Sequence, residues 1–333
     1  MNNFLDPAIL FFAFGILAGC AKSNLEIPQP IARFLSLYLL MALGLKGGFA
    51  LAQTGLTAEV AASLGAAVLL AVAIPLAAYP LLKRFVSGFD AAAVAATYGS
   101  VSAVTFITAT QYLDVHQVAY GGHMAAAMAL MESPAIVIAV VLANSLRQAG
   151  APAVLPDANG TATLGAPGPR VGLGKILHES FTDGTQLLLI GAMAVGILTG
   201  EAGKAAMAPF SIDLFKGMLA FFLLDMGLHT ARNLGKLRGQ SRWLLAYAAA
   251  APVVHAGLAL GLAALLGLSA GNATLLMVLA GSASYIAVPA ALRYAIPEAN
   301  PSVYFSMSLG VTFPLNILLG IPAYAWLAGM ALG

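Results

Sequence analysis

The sequence predicts an all-α polytopic membrane protein: ten transmembrane helices arranged as two inverted five-helix repeats, with helices four and nine broken. Three observations predict it: too little charge for a surface that faces water throughout, ten apolar segments of spanning length, and four short strings that recur at nearly one offset.

Hydrophobic residues make up 60% of the chain and charged residues 8%, with a mean hydropathy of +0.91. A soluble domain is about 45–50% apolar and about 25% charged. Lipid must therefore replace water over much of this surface. A net charge of +2 is too small to suggest a nucleic-acid partner. The single cysteine, Cys20, excludes an intrachain disulfide. Leu17-Ala18-Gly19-Cys20 has the look of a lipoprotein cleavage box, but the residues before it carry no Lys or Arg, and a secretory signal needs a basic start. An ordinary first membrane helix is the better reading.

A spanning helix needs about 20 mostly apolar residues. Ten segments qualify, at 5–20, 31–51, 60–82, 91–113, 119–146, 184–200, 212–230, 243–266, 274–295 and 303–327, the first and sixth being short. The long polar stretch 147–183, rich in Pro, Gly, Ala and Thr at its centre, reads as a linker between a first repeat (1–146) and a second (184–333). Twelve of the 15 Lys and Arg residues fall in or beside alternate loops: Lys22, Arg33, Lys83, Arg84, Arg147, Arg170, Lys175, Arg232, Lys236, Arg238, Arg242 and Arg293. By the positive-inside rule the linker is cytoplasmic and both termini lie outside, in a multi-pass protein of the inner (plasma) membrane.

The duplication is carried by four matches. Gly15-Ile16-Leu17-Ala18-Gly19 pairs with Gly196-Ile197-Leu198-Thr199-Gly200, and Gly44-Leu45-Lys46 with Gly227-Leu228-His229. Gly99-Ser100-Val101-Ser102 pairs with Gly281-Ser282-Ala283-Ser284, and Pro134 with Pro314. The offsets run from 180 to 183. Five spans per copy place the second copy upside down, a construction recurrent in secondary transporters. In such folds the site sits at the midplane, in helices broken at matching positions. Spans four and nine carry those breaks: glycine weakens a helix and proline removes a donor. Freed carbonyls suit a cation, half-helix N-termini suit an anion, and Ser or Thr hydroxyls serve either. Close helix packing by small residues is the competing reading, and its recurrence in both halves weighs toward function.

Intramembrane ionisable groups are the second signal. Glu132, beside Ser133 in span five, would cost at least about 2.5–3.5 kcal/mol to bury as a carboxylate in hydrocarbon, so it should face a cavity or a partner. It reads as a cation ligand, a proton carrier or a structural ion pair. Asp225 and His229 lie four apart on one face of span seven, as a local pair or a functional one. Lys46 is expected to pair with Asp225 or Glu132. Lys216 and Asp213 should reach the interface, and His116 and His123 read as surface residues without a metal cluster. No Walker loop, Gly-x-Ser-x-Gly elbow or His-Glu-x-x-His pair is present, so neither an ATP-driven pump nor an enzyme is expected.

Four strings resemble the sodium-dependent bicarbonate transporters first described in cyanobacteria. They are Ile176-Leu177-His178-Glu179-Ser180, Leu214-Phe215-Lys216-Gly217-Met218-Leu219, Ala251-Pro252-Val253-Val254-His255-Ala256-Gly257 and Leu292-Arg293-Tyr294-Ala295-Ile296-Pro297-Glu298-Ala299-Asn300-Pro301-Ser302. The resemblance implies core and gate domains, an elevator-like motion, sodium-coupled bicarbonate uptake, often a homotrimer, and regulation by a PII-like cytosolic protein. It implies no cofactor beyond sodium as the coupling ion. The substrate-binding set expected from the matched breaks is Gly99, Ser100, Ser102, Gly281, Ser282, Ser284 and Tyr285. The sodium-binding set is Ser102, Thr105, Glu132, Ser133 and Ser284, with no other metal. The chain departs from the cyanobacterial pattern where Tyr285 replaces an Asp, Ala283 a Ser, and Ala103-Val104 a Gly-Ser pair. The alternative readings are a cation/proton antiporter using Glu132 or Asp225, or a sodium-coupled symporter of another small, organic anion.

Overall fold

The computed structural model describes residues 6–55, 57–149, 184–234 and 240–333. Among them the chain is helical, with no strand. Its helices are α1 (Pro7–Cys20), α2 (Gln29–Thr54), α3 (Ala58–Leu82), α4 (Gly88–Gly99), α5 (Ala103–Val115) and α6 (Met124–Ala149). Then follow α7 (Gly184–Ala208), α8 (Phe215–Leu234), α9 (Arg242–Leu266), α10 (Ala270–Gly281), α11 (Ala287–Ala295) and α12 (Pro301–Leu332). Seven helical stretches are long and apolar enough to cross a membrane, and two shorter apolar helices accompany them. This is a multi-pass membrane protein. Helix α6 runs past the expected start of the linker, which from residue 150 lies outside the described residues, as do Arg170, Lys175, Lys236 and Arg238.

Two groups of helices stand out by their closest packing, around an apolar core that both share. In one, α1 lies on α8 and α2 on α7. In the other, α3, α4 and α6 pack together, and so do α9, α10 and α12. The first group is held by glycines. A Cβ on Gly196 would sit 2.7 Å from the Leu45 carbonyl oxygen and 3.0 Å from the Gly48 Cα. A Cβ on Gly227 would lie 3.0 Å from the Gly15 Cα, and one on Gly44 2.8 Å from the Ala192 Cβ. Only hydrogen at these positions lets the backbones touch, so dispersion contacts over the whole crossing hold the pair where lipid gives no hydrophobic drive. The glycines that mark the sequence repeat are thus the crossing points. Span six, expected to end at Gly200, continues as α7 to Ala208; Gly200 has φ 53° and ψ −138°, a conformation glycine adopts without steric cost, and α7 kinks there.

The second group is pinned at its rims. The N-terminal turn of α4 presents Asp90, whose Oδ1 accepts from the Asn300 N–H at 2.7 Å. The N-terminal turn of α10 presents Asn272, whose Oδ1 accepts from the Gly121 N–H at 2.7 Å. Each crossing helix therefore holds a loop of the other half. Glu59 adds to the second clasp, accepting from Ser269 N–H and Asn272 Nδ2 at 2.8 Å each. His123, expected at the surface, is buried behind this clasp, because the chain turns inward to start α6. Burial pushes its imidazole down, partly opposed by Glu59. His116 is exposed and stacks on Tyr112, as a surface residue should. Lys216 pairs with Asp6 at 3.3 Å, joining the starts of α8 and α1.

At the other rim the Arg147 guanidinium donates to both Glu298 oxygens at 2.8 and 2.7 Å and to the Ala295 carbonyl at 3.0 Å. Those hydrogen bonds hold the Glu298 carboxyl below the usual range. A lowered folded-state value stabilises the protein above the unfolded value, and that stability is lost as pH falls through the folded one. The Glu298→Gln variant should therefore melt earlier than the parent at neutral pH and match it once Glu298 is protonated, as thermal unfolding against pH will show. Gly48→Ala should destabilise by about 1–3 kcal/mol through overpacking, because its Cβ would collide with the Met193 carbonyl, whereas Gly65→Ala meets nothing within 4 Å and should not. Melting of the detergent-solubilised variants decides.

Candidate functional site

Helices α4 and α5 are separated by Ser100, Val101 and Ser102, and α10 and α11 by 282–286. The first break follows from its neighbours. A Cβ on Gly99 would lie 2.6 Å from the Pro75 ring, so the end of α4 admits only glycine at this packing distance. Ser102 then caps α5, its Oγ accepting from the Thr105 N–H at 3.2 Å and the Thr105 hydroxyl at 2.9 Å. In the second break the Ser284 Oγ accepts from the Val288 N–H at 3.2 Å, in the first turn of α11.

The breaks satisfy each other. The Ser102 N–H donates to the Ser282 Oγ at 2.9 Å, and the Ser284 N–H donates to the Thr97 carbonyl at 2.8 Å. The Ser282 hydroxyl in turn donates to the Leu279 carbonyl at 3.0 Å. Helix α12 completes the arrangement from two π turns, Ser308–Thr312 and Asn316–Gly320. A π turn displaces side chains from the regular helical face, and such turns often sit at functional positions. Here the Thr312 hydroxyl donates to the Ala248 carbonyl at 2.8 Å and receives the Tyr98 hydroxyl at 2.6 Å. Asn316 Nδ2 donates to the Gly281 carbonyl at 2.8 Å, closing the C-terminus of α10, and its Oδ1 accepts from Tyr324.

Between the breaks lies a cavity of about 40 Å³. Ser102, Ala103 and Val104 bring the N-terminus of α5 to it, and Ser284, Tyr285, Ile286 and Ala287 bring that of α11. Met128 and Glu132 of α6 line it, as do Ser36 and Leu40 of α2 and Thr185 and Leu189 of α7. Two positive helix ends with serine hydroxyls and a phenol favour an anion, and the Glu132 carboxylate favours a cation beside it. The Tyr285 ring packs edge-on against Phe313 at 5.1 Å, and its hydroxyl reaches the Met226 sulfur on α8 at 3.7 Å.

Of the expected residues, Ser102, Ser284, Tyr285 and Glu132 line this cavity. Gly99 packs on Pro75, Gly281 on the Pro252 carbonyl, and Ser282 and Thr105 serve the backbone and Ser102. Ser100 and Ser133 are buried, their hydroxyls without a hydrogen-bond partner among the described residues. Ser36, Thr185, Thr312 and Asn316 were not singled out from sequence. Ser36, Thr312 and Asn316 sit in largely apolar helices, whereas Thr185 stands in the polar start of α7 beside Gln186.

A larger vestibule of about 750 Å³ opens from the end of the molecule where α2 and α7 begin and α8 ends. Arg33 and Arg232 stand in its wall, with Asp225 and His229, whose Oδ1 and Nε2 are 3.7 Å apart. Asp225 is 3% exposed, and its Oδ2 has no hydrogen-bond partner among the described residues. The expected pairing of Lys46 with Asp225 or Glu132 is wrong. Lys46 lies toward the opposite end, where its ammonium meets Asp114 of α5 at 2.9 Å and the Phe215 ring at 4.7 Å. The Tyr120 hydroxyl donates to the same carboxylate at 3.0 Å. Burial first, and the Asp114 charge second, push the Tyr120 phenol up, so it stays a donor. The two ends therefore differ: one is open to a vestibule, the other tied by a salt bridge between the two helix groups.

The family model of the Na+-dependent bicarbonate transporter superfamily matches residues 7–329. The chain belongs to that superfamily. Membership makes it a transporter of a sodium-dependent class, and the match runs through both breaks and every helix that lines the cavity. No curated protein matches the chain.

Ser282→Ala would leave the Ser102 N–H without its acceptor in a water-poor interior, at a cost of about 1–3 kcal/mol. The expected result is a lower melting temperature with unchanged helical content by circular dichroism.

Proposed function

We propose that this chain is a secondary active transporter that takes up bicarbonate with sodium across the inner (plasma) membrane by an elevator-like alternating access. The observation that carries the reading is the meeting of two half-helix N-termini over one cavity that also holds Glu132. The anion sits at Ser102, Ser284 and Tyr285, between the starts of α5 and α11, with Gly99, Ser100, Gly281 and Ser282 shaping the two breaks. Sodium sits beside it at Glu132 with Ser102, Thr105, Ser133 and Ser284. Each ligand lowers the desolvation cost of the other, which is the physical basis of symport.

Ten spans in two inverted repeats fit the packing. Successive contacts run in the same sense along α2 and α7 and along α1 and α8. Helices α2 and α7 both begin at the vestibule, while the starts of α1 and α8 meet at the other end through Asp6 and Lys216. Helices α1 and α7, which carry the matching Gly-Ile-Leu-x-Gly strings, therefore run in opposite directions. The α1, α2, α7 and α8 group is the gate, and the remaining helices move against it as the core. With the linker cytoplasmic and the termini outside, the vestibule faces the cytoplasm and Lys46–Asp114 closes the outer side. The family resemblance adds a homotrimer and a PII-like regulator as the partners to look for.

Tyr285 favours a second reading, another small anion in the same site, because a phenol stands where cyanobacterial relatives carry a carboxylate. Uptake of labelled bicarbonate into proteoliposomes tests both. An inward sodium gradient should drive it. Tyr285→Phe should raise KM for the anion while the protein stays folded, and Glu132→Gln should abolish the sodium dependence. Sodium-driven uptake of formate or acetate without bicarbonate uptake would select the second reading. An unchanged KM in Tyr285→Phe would remove the phenol from the site.

A further inference from the structure

The cavity and the vestibule share three lining residues: Ser36 on α2, Thr185 on α7 and Ile286 in the second break. Among the described residues no other lines both. These three side chains therefore stand where the two spaces adjoin. Ile286 is a large apolar residue left 49% exposed, and it belongs to none of the buried apolar clusters. It projects into the path instead. Arg33 lies one turn before Ser36, in the vestibule wall and on the same stripe of α2.

We infer that Ser36, Thr185 and Ile286 form the inner throat of the transport path and are specificity-determining residues for a small oxyanion. The inference rests on the site proposed above. An anion leaving the half-helix N-termini loses their N–H donors before it regains water. Hydroxyls from α2 and α7 stand at that point and replace part of the hydration shell, as polar pore linings do in other transport proteins. Arg33 then receives the ion on the vestibule side. Ile286 sets the width: its branched side chain admits a small planar anion and obstructs a bulkier organic one. Two of the three residues belong to the α1, α2, α7 and α8 group and the third to a break, so relative motion of the helix groups opens or closes the throat.

The chain has one native thiol, Cys20, which is exposed at the end of α1. Cys20→Ser clears the background, and Ser36→Cys places a thiol in the throat with little change in volume. The membrane-impermeant anion methanethiosulfonate ethylsulfonate is applied from the linker side of vesicles of defined orientation. The introduced thiol should react, and bicarbonate with sodium should slow the reaction severalfold. Labelling should abolish uptake relative to the unlabelled Ser36→Cys protein. Ile286→Ala should let bulkier carboxylates such as propionate and butyrate compete more strongly against bicarbonate, and Ile286→Trp should block uptake in a protein that remains monodisperse.

An unreactive thiol in folded protein, or full labelling with uptake and anion protection unaffected, overturns the inference. If sodium-driven bicarbonate uptake is intact while the thiol is inert, the throat is wrong and the transport reading stands. If bicarbonate neither moves nor protects, but formate protects the thiol, the substrate is wrong and the throat stands.

Discussion

Inside a bilayer an open N–H or C=O has no water to bind, and everything distinctive in this molecule follows from breaking two helices there. An unsatisfied backbone group costs several kcal/mol in hydrocarbon. The breaks are tolerable because each supplies what the other lacks: Ser282 accepts from Ser102, and Thr97 accepts from Ser284. The remaining open ends are closed by side chains, Ser102 and Ser284 at the N-termini and Asn316 at the C-terminus of α10. The reciprocity fixes how the two halves meet, because neither break is satisfied without its partner. It also keeps two helix starts pointed into one space, which is the chemistry an anion needs.

That mutual satisfaction divides the labour between the helix groups. The helices that carry the breaks must be rigid relative to one another, and they are clasped at both rims by Asp90 with Asn300 and by Asn272 with Gly121. The group of α1, α2, α7 and α8 is joined internally by glycine crossings, which are smooth and carry few directional bonds. Between the groups lie a shared apolar core and ties such as Lys46 with Asp114 and an edge contact of Phe12 with Phe313. A partly exposed ion pair contributes about 0–1 kcal/mol. A contact that weak joins the two groups at one end without locking them together.

What could be read from sequence was what has a local cause. Glycine at a crossing, serine after glycine at a break, and apolar length all act through the chain within a few residues. The repeat strings therefore landed on the crossing glycines and on both breaks, and the expected end of span six marks a kink inside α7. Partners across long separations were illegible. Lys46 was assigned by charge to Asp225 or Glu132, yet helix direction places it at the other end, beside Asp114. His123 read as a loop residue because nothing in its neighbourhood announces that the chain dives inward there. Thr312 and Asn316 escaped because only π turns, which no simple periodicity predicts, turn them toward the breaks. Ser36 and Thr185 escaped because the site is completed by helices that contain no break.

Position 285 joins the site to the boundary. Its side chain lies in the cavity between the half-helix ends, while its hydroxyl makes a contact with the Met226 sulfur on α8. Thioether sulfur is a weak acceptor, so this is the least costly tie the phenol could hold. An anion in the cavity offers a charged acceptor to the same proton, and charge-assisted bonds are roughly twice as strong as neutral ones. Under the proposed function, occupancy would draw the hydroxyl inward and release α8. A carboxylate at this position would repel the anion and would have no proton to exchange between the two partners. Under the proposed function, tyrosine here removes a charge that sodium would otherwise have to balance, and would couple occupancy of the cavity to a contact across the helix groups.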